Sequence, residues 1–108
     1  MINSMKVRLI ATLILLSVTA TVQAAPFAKG DAAAGKKFFD QHKCNSCHVS
    51  MLGGDGSAMF TRAERKVKTA ASLETQITRC SVNLGLTLFP EDEEHLGAYL
   101  NKNYYKFK

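Results

Sequence analysis

The sequence predicts a small all-α domain of about three helices. Three observations predict it. The chain has 108 residues, enough for one domain and no more. Two capping residues, Asp31 and Ser72, each stand just before apolar residues at helical spacing. Pro90 is followed by the acidic run Glu91–Glu94, the pattern of a helix start. A hydrophobic fraction of 46% with 21% charged residues is that of an ordinary globular chain, which argues against disorder and repeat architecture.

Residues 1–24 have the pattern of a secretory signal. Lys6 and Arg8 form a basic start, and Leu9–Val22 is fourteen residues without charge, too short to span a bilayer. Val22 and Ala24 then put small residues at the −3 and −1 positions of a cut. The domain would be residues 25–108, exported to the periplasm, with no stable membrane anchor. No Cys lies near the cut, so a lipid anchor has no support. Removing Lys6 and Arg8 from the fourteen basic residues leaves twelve against nine acidic ones. That mild excess suits partners with acidic docking surfaces and gives no argument for nucleic acid.

The first predicted helix covers Ala32 to His42, with Phe38 and Phe39 on its apolar stripe. Residues 49–71 hold Gly53-Gly54-Asp55-Gly56 and then Arg62, Arg65, Lys66 and Lys68, which predicts a loop with one short turn of helix around Arg62–Lys66. The second helix covers Leu73 to Cys80, where Leu73, Ile77 and Cys80 fall at i, i+4 and i+7 and share a buried face. Residues 83–86 form a turn, and the last helix starts at Pro90. In the tail, Tyr104, Tyr105 and Phe107 are three aromatic residues in five, which predicts packing.

A thin core in an exported domain needs a staple. Three Cys fit a closed disulfide framework poorly. Their spacing is more telling. Cys44-Asn45-Ser46-Cys47-His48 is the pattern for covalent haem attachment. Two thiols one helical turn apart reach the two vinyl groups, and the following His48 is placed to ligate the iron. A zinc reading lacks regular partners, because only His42, Cys80 and His95 remain. The cofactor expected is one haem c.

With that motif, the chain resembles the small class I c-type cytochromes. Gly35-Lys36-Lys37-Phe38-Phe39 matches the family's Gly-x-x-x-aromatic, and Leu96-Gly97-Ala98-Tyr99-Leu100 its Leu-x-x-Tyr-Leu helix. The resemblance implies helices around one covalently bound haem, with the N- and C-terminal helices crossing at Gly35, Phe39, Leu96 and Tyr99. A fainter similarity points to the oxygen-binding sphaeroides haem proteins. It does not carry over their distal Asn, because Arg79 occupies that position and their second distal-loop Cys is absent.

The sixth ligand departs from the class I pattern, since no Met follows Met59. Met51 and Met59 lie three and eleven residues beyond His48. Eleven extended residues span about 35 Å, so Met59 can reach; a Met there also serves as gap filler. Cys80, 32 residues after His48 and inward by periodicity, is the better-placed candidate, either as a thiolate favoured by Arg79 or as a small buried hydrophobe. Asn83 fits only after rearrangement, and His95 and His42 suit exposed positions. The only prolines are Pro26 and Pro90, neither of them close after the motif, so a backbone carbonyl in Met51–Gly54 is expected to orient His48. Arg62 and Arg65 suit either haem propionates or a solvated basic loop.

Two functions follow from the sequence. One is a single-electron carrier between redox partners, with an exposed haem edge framed by Lys36, Lys37 and Lys43. The other is a haem-based binder or sensor of oxygen, nitric oxide or carbon monoxide with an open or labile sixth position. No acid–base or nucleophile constellation points to an enzyme.

Overall fold

The computed structural model describes residues 25–108. The leader assignment at 1–24 therefore lies outside the described residues. Within them the protein is all-helical, with no strand. Five α-helices follow in order: α1 Ala32–Gln41, α2 Ser46–Leu52, α3 Ala58–Thr61, α4 Ala70–Asn83 and α5 Pro90–Leu100. A π-helical turn, Asn101–Tyr105, extends α5.

The helix count exceeds the three expected because the segment 49–71 is not simply a loop. The helix that begins at Ser46 carries the attachment motif through to Leu52 and stops at Gly53, whose φ of 71° is in the left-handed region. The short turn of helix falls at Ala58–Thr61, ahead of Arg62–Lys66, where only a turn closes from Arg65 N–H to the Arg62 carbonyl.

Local chemistry fixes the longer helices. Asp31 caps α1 by accepting from the Ala33 and Ala34 amides at 2.8 and 3.1 Å. Those two bonds, with Ala34 first, hold its carboxyl below the usual value of 3.8. The cap of α4 is Thr69, and Ser72 is its partner three residues on. Thr69 Oγ1 accepts from the Ser72 amide at 3.1 Å, and Ser72 Oγ accepts from the Thr69 amide at 3.2 Å. This capping box starts the helix earlier than Leu73. It ends at Gly85, φ 72°, where the Gly85 amide reaches the Val82 carbonyl and the Leu86 amide reaches Ser81, a Schellman closure. Pro90 opens α5, the Asp92 carboxylate accepts from the Phe89 amide at 3.1 Å, and Glu93 accepts from Thr78 of α4 at 3.0 Å.

The most extensive contact between elements is α1 against α5. Side chains at Gly35 would run into the His95 carbonyl and Tyr99, and at Gly30 into the Glu94 carbonyl and Ala98. Phe27 lies against Gly97. Positions 27, 30 and 35 thus all meet the short stretch 94–99, so the two segments cross instead of running side by side. The crossing buries Phe27, Phe39, Leu96, Tyr99 and Leu100, and the core continues through Phe60, Val67, Leu73 and Ile77. Tyr104, Tyr105 and Phe107 pack against it, and Asn101 clamps the tail by bonds to both the amide and the carbonyl of Phe107.

Because the obstruction at Gly35 is backbone, it cannot rotate away. Gly35→Ala is expected to cost about 1–3 kcal/mol by overpacking. Thermal unfolding checks this, and an unchanged midpoint would show that the crossing tolerates a wider separation.

Candidate functional site

A cavity of about 450 Å³ opens beside the core, within the size range of cofactor pockets, about 300–1,000 Å³. Seven of the residues singled out from sequence line it: Cys44, Cys47, His48, Met59, Arg62, Arg65 and Cys80. Leu73 and Ile77 of α4 share the wall with Cys80, as the spacing implies. Phe39, Leu96 and Leu100 supply the wall from the helix crossing, and Tyr105 supplies it from the tail.

His48 stands at the start of α2. Its ring meets Phe60 edge-on, with centroids 5.2 Å apart. Nδ1 lies 2.8 Å from Asn45 Oδ1, while Nε2 has no hydrogen-bond partner among the described residues. Burial, with the Arg62 cation second, lowers its pKa below the usual 6.5 and so favours neutral imidazole with a free lone pair. The orienting acceptor is therefore the Asn45 side chain, not a carbonyl in Met51–Gly54. Gly53 turns the chain away after α2, so that stretch leads off the motif.

Cys44 is half-buried and Cys47 exposed. Burial pushes the Cys44 thiol above its usual range, and the Cys80 thiol on the same cavity adds to the shift. Cys80 is half-buried and its sulfur accepts from Gln76 Nε2 at 3.1 Å. The neighbour that reaches it is thus Gln76, one turn earlier on α4, and not the exposed Arg79. Met59 is half-buried, with Arg62 Nη2 on its sulfur at 3.4 Å. Met51 is on the rim, 70% exposed.

Three weaker candidates are elsewhere. Asn83 is exposed at the end of α4 and outside the cavity. His95 is not an exposed helix-face residue: its Nδ1 accepts from the Asp31 amide at 2.9 Å and ties α5 to the start of α1. His42 lies against Phe38, ring centroids 4.2 Å apart, away from the cavity.

The charge around the cavity also differs from expectation. Lys36, Lys37 and Lys43 do not line it, and Lys36 is paired with Asp40 at 2.6 Å. The lining cations are Arg62, Arg65, Lys66 and Arg79, with no Asp or Glu among the lining residues. Arg62 Nε and Arg65 Nε are buried and have no acceptor. A buried donor left unpaired costs about 1–3 kcal/mol, which an anionic group in the cavity would recover. Among the described residues, no three His, Cys, Asp or Glu side chains cluster as a metal-ion site, and no helix is long and apolar enough to cross a membrane.

No family model, curated protein or solved structure matches this chain. Sequence reasoning missed Asn45 and Gln76. Asn45 occupies a variable position of the motif, and Gln76 lies four residues before Cys80, a spacing that puts it on the same helix face.

Leu73 is the most buried wall residue, 1% exposed. Leu73→Ala is expected to cost about 2–5 kcal/mol, and Met51→Ala on the rim less than about 0.5 kcal/mol. Denaturant unfolding of both variants checks the ranking. Equal costs would mean that the wall is not the core that supports the cavity.

Proposed function

We propose that the protein is an exported mono-haem c-type cytochrome of the class I kind that passes single electrons between redox partners. The observation that carries this is a convergence on one cavity. The two thiols of the attachment motif, the imidazole of His48 and the side chains of Arg62 and Arg65, each with a buried Nε–H that lacks an acceptor, all line it. The residues present fit the group: thiols for two thioethers, a neutral imidazole for the iron, and cations for two carboxylates. A bound haem supplies a one-electron ferric/ferrous couple. The chain's own part is to hold, orient and partly cover it. Cys44 and Cys47 would anchor it, Arg62 and Arg65 would neutralise its carboxylates, and Leu73, Ile77 and Leu96 would exclude water from it. Attachment consumes the thiols of Cys44 and Cys47, and a carrier needs no further reacting side chain.

The Cys44→Ala, Cys47→Ala double variant tests the attachment. It is expected to lose all covalent haem and most cooperative folding, because the cavity interrupts an already thin core. A haem-free double variant with a sharp circular-dichroism melting transition would count against the dependence of the fold on the cofactor. A native chain with no thioether-bound haem after co-expression with a haem-attachment system would remove the function itself.

On the distal side we assign Cys80. It shares the cavity with His48, and Gln76 gives its sulfur an outer contact of the kind that steadies ligating atoms. Axial ligands move haem potentials over about 0.8 V, so Cys80→Ala should raise the potential and change the ferric electron paramagnetic resonance signal. If both stay as in the native protein, Cys80 is only wall, and Met59 or an open position takes its place.

A second function follows if Cys80 stays with Gln76 and Met59 with Arg62 when haem is bound, so that neither sulfur ligates. An iron left open there would bind oxygen, nitric oxide or carbon monoxide. Rapid binding of carbon monoxide to the reduced protein, seen in its absorption spectrum, favours this binder over the carrier.

Lys66 and Arg79, the exposed cations of the cavity wall, support a partner with an acidic surface. Reduction by an acidic partner protein is expected to slow by about tenfold or more from low to high salt. A flat rate would remove the electrostatic steering and leave the cofactor assignment intact.

A further inference from the structure

We propose that Asn45, the first variable residue of the attachment motif, is the positioning residue of His48, and that its side-chain oxygen tunes the electron donation of the imidazole. The inference rests on the haem-binding function above and deepens it. In the resembled family a proline carbonyl after the motif faces this nitrogen; here the one later proline, Pro90, opens α5, and a side chain inside the motif stands in that place.

Three observations fix the direction of the Asn45–His48 bond. Asn45 Nδ2 donates to the Asp55 carbonyl, so the amide cannot flip without losing that bond. Oδ1 is thereby the atom turned to His48, at 2.8 Å from Nδ1. An amide oxygen only accepts, so the proton of the neutral ring lies on Nδ1, and Nε2 keeps its lone pair for the iron. Asn45 also precedes α2 as its capping residue yet caps nothing: its backbone is helical, and its side chain bonds no amide of the first turn. The usual use of Asn at this place is given up, and its oxygen is spent on the imidazole.

The loop that follows is shaped around this pair. Gly56 is buried with φ 79°, and a Cβ there would lie 2.6 Å from Asn45 Nδ2 and 2.9 Å from His48 Cβ. Only glycine allows the chain to return so close. The Asp55 carbonyl arrives at Asn45 because Gly56 passes over it, and the Asp55 carboxylate accepts from the Ser57 amide at 2.9 Å to close that turn. The contact is built from three elements: the motif, the glycine loop and the start of α3.

An acceptor on Nδ1–H makes the imidazole a stronger donor and stabilises ferric over ferrous iron. Asn45→Leu removes the acceptor and the bond to Asp55 together. Asn45→Asp keeps an acceptor, strengthened by charge, and loses only the bond to Asp55. In the full haem-loaded protein, Asn45→Leu should raise the reduction potential and lower the ferrous iron–imidazole stretching frequency read by resonance Raman. Asn45→Asp should shift both the opposite way. If Asn45 only tied the loop in place, both variants would shift both readouts in the same direction, and the proposal would be overturned. A measurement without substitution guards against variants that fail to fold. In the native reduced protein the Nδ1 proton of His48 should appear by NMR as slowly exchanging and close to the Asn45 side chain. Fast exchange of that proton also overturns the proposal. A native chain that carries no haem would overturn the proposed function, whereas a haem-bearing chain whose potential and stretch ignore position 45 overturns this inference alone.

Discussion

The structure depends on one close approach, that of Gly35 on α1 to the His95 carbonyl on α5. Two helices meet there with almost no side-chain spacer, and the aromatic rings on either side are forced together. Phe39 and Tyr99 lie 5.4 Å apart by ring centroid, Phe60 sits edge-on to Phe39, and Tyr104 closes on both Phe60 and Tyr99. The ring of His48 then stands against Phe60, so the motif's imidazole is braced on a wall that exists because the helices cross tightly. The same crossing supplies Leu96 and Leu100 to the cavity. A longer side chain at position 35 would act on the site from a distance, by moving that wall.

The sequence made much of this legible, and what stayed hidden has physical causes. Helix starts are written in local chemistry, so Asp31 and Pro90 were readable. At α4 the two hydroxyls of Thr69 and Ser72 form one reciprocal device, and reading Ser72 alone as the cap set the start too late. Seven residues are too short to give α2 a clear periodic signal, and the one turn of helix expected at Arg62–Lys66 lies instead at Ala58–Thr61. Their ends depend on where the glycines turn left-handed, which spacing does not tell.

At the site, identity was easier to read than partnership. The residue types of the motif, the i, i+4, i+7 face of α4 and the arginines of the loop are all written in spacing or type. Which lysines or arginines border the cavity is a matter of tertiary placement, and proximity in sequence misled: Lys36, Lys37 and Lys43 flank the motif along the chain yet do not line the cavity. His95 was misread for the same reason. Its helix position allows exposure, but the start of α1 supplies an amide donor 64 residues away in sequence. Asn45 and Gln76 are polar residues whose roles appear only once their partners are placed.

The crossing also has a consequence in time. The Asp31–His95 bond closes a span of 64 residues, and Phe27 waits on Gly97 across a still longer one. Contacts this far apart in sequence form late, because loop-closure entropy must be met before they stabilise anything. As the chain emerges, N-terminal end first, α1 lacks its main partner until the last helix is out. Through that interval residues 44–48 belong to an open chain, with both thiols reachable from solvent. Closure at the C-terminal end then shelters Cys44, half-buried in the folded protein, while Cys47 stays exposed, so packing restricts one thiol of the motif and spares the other.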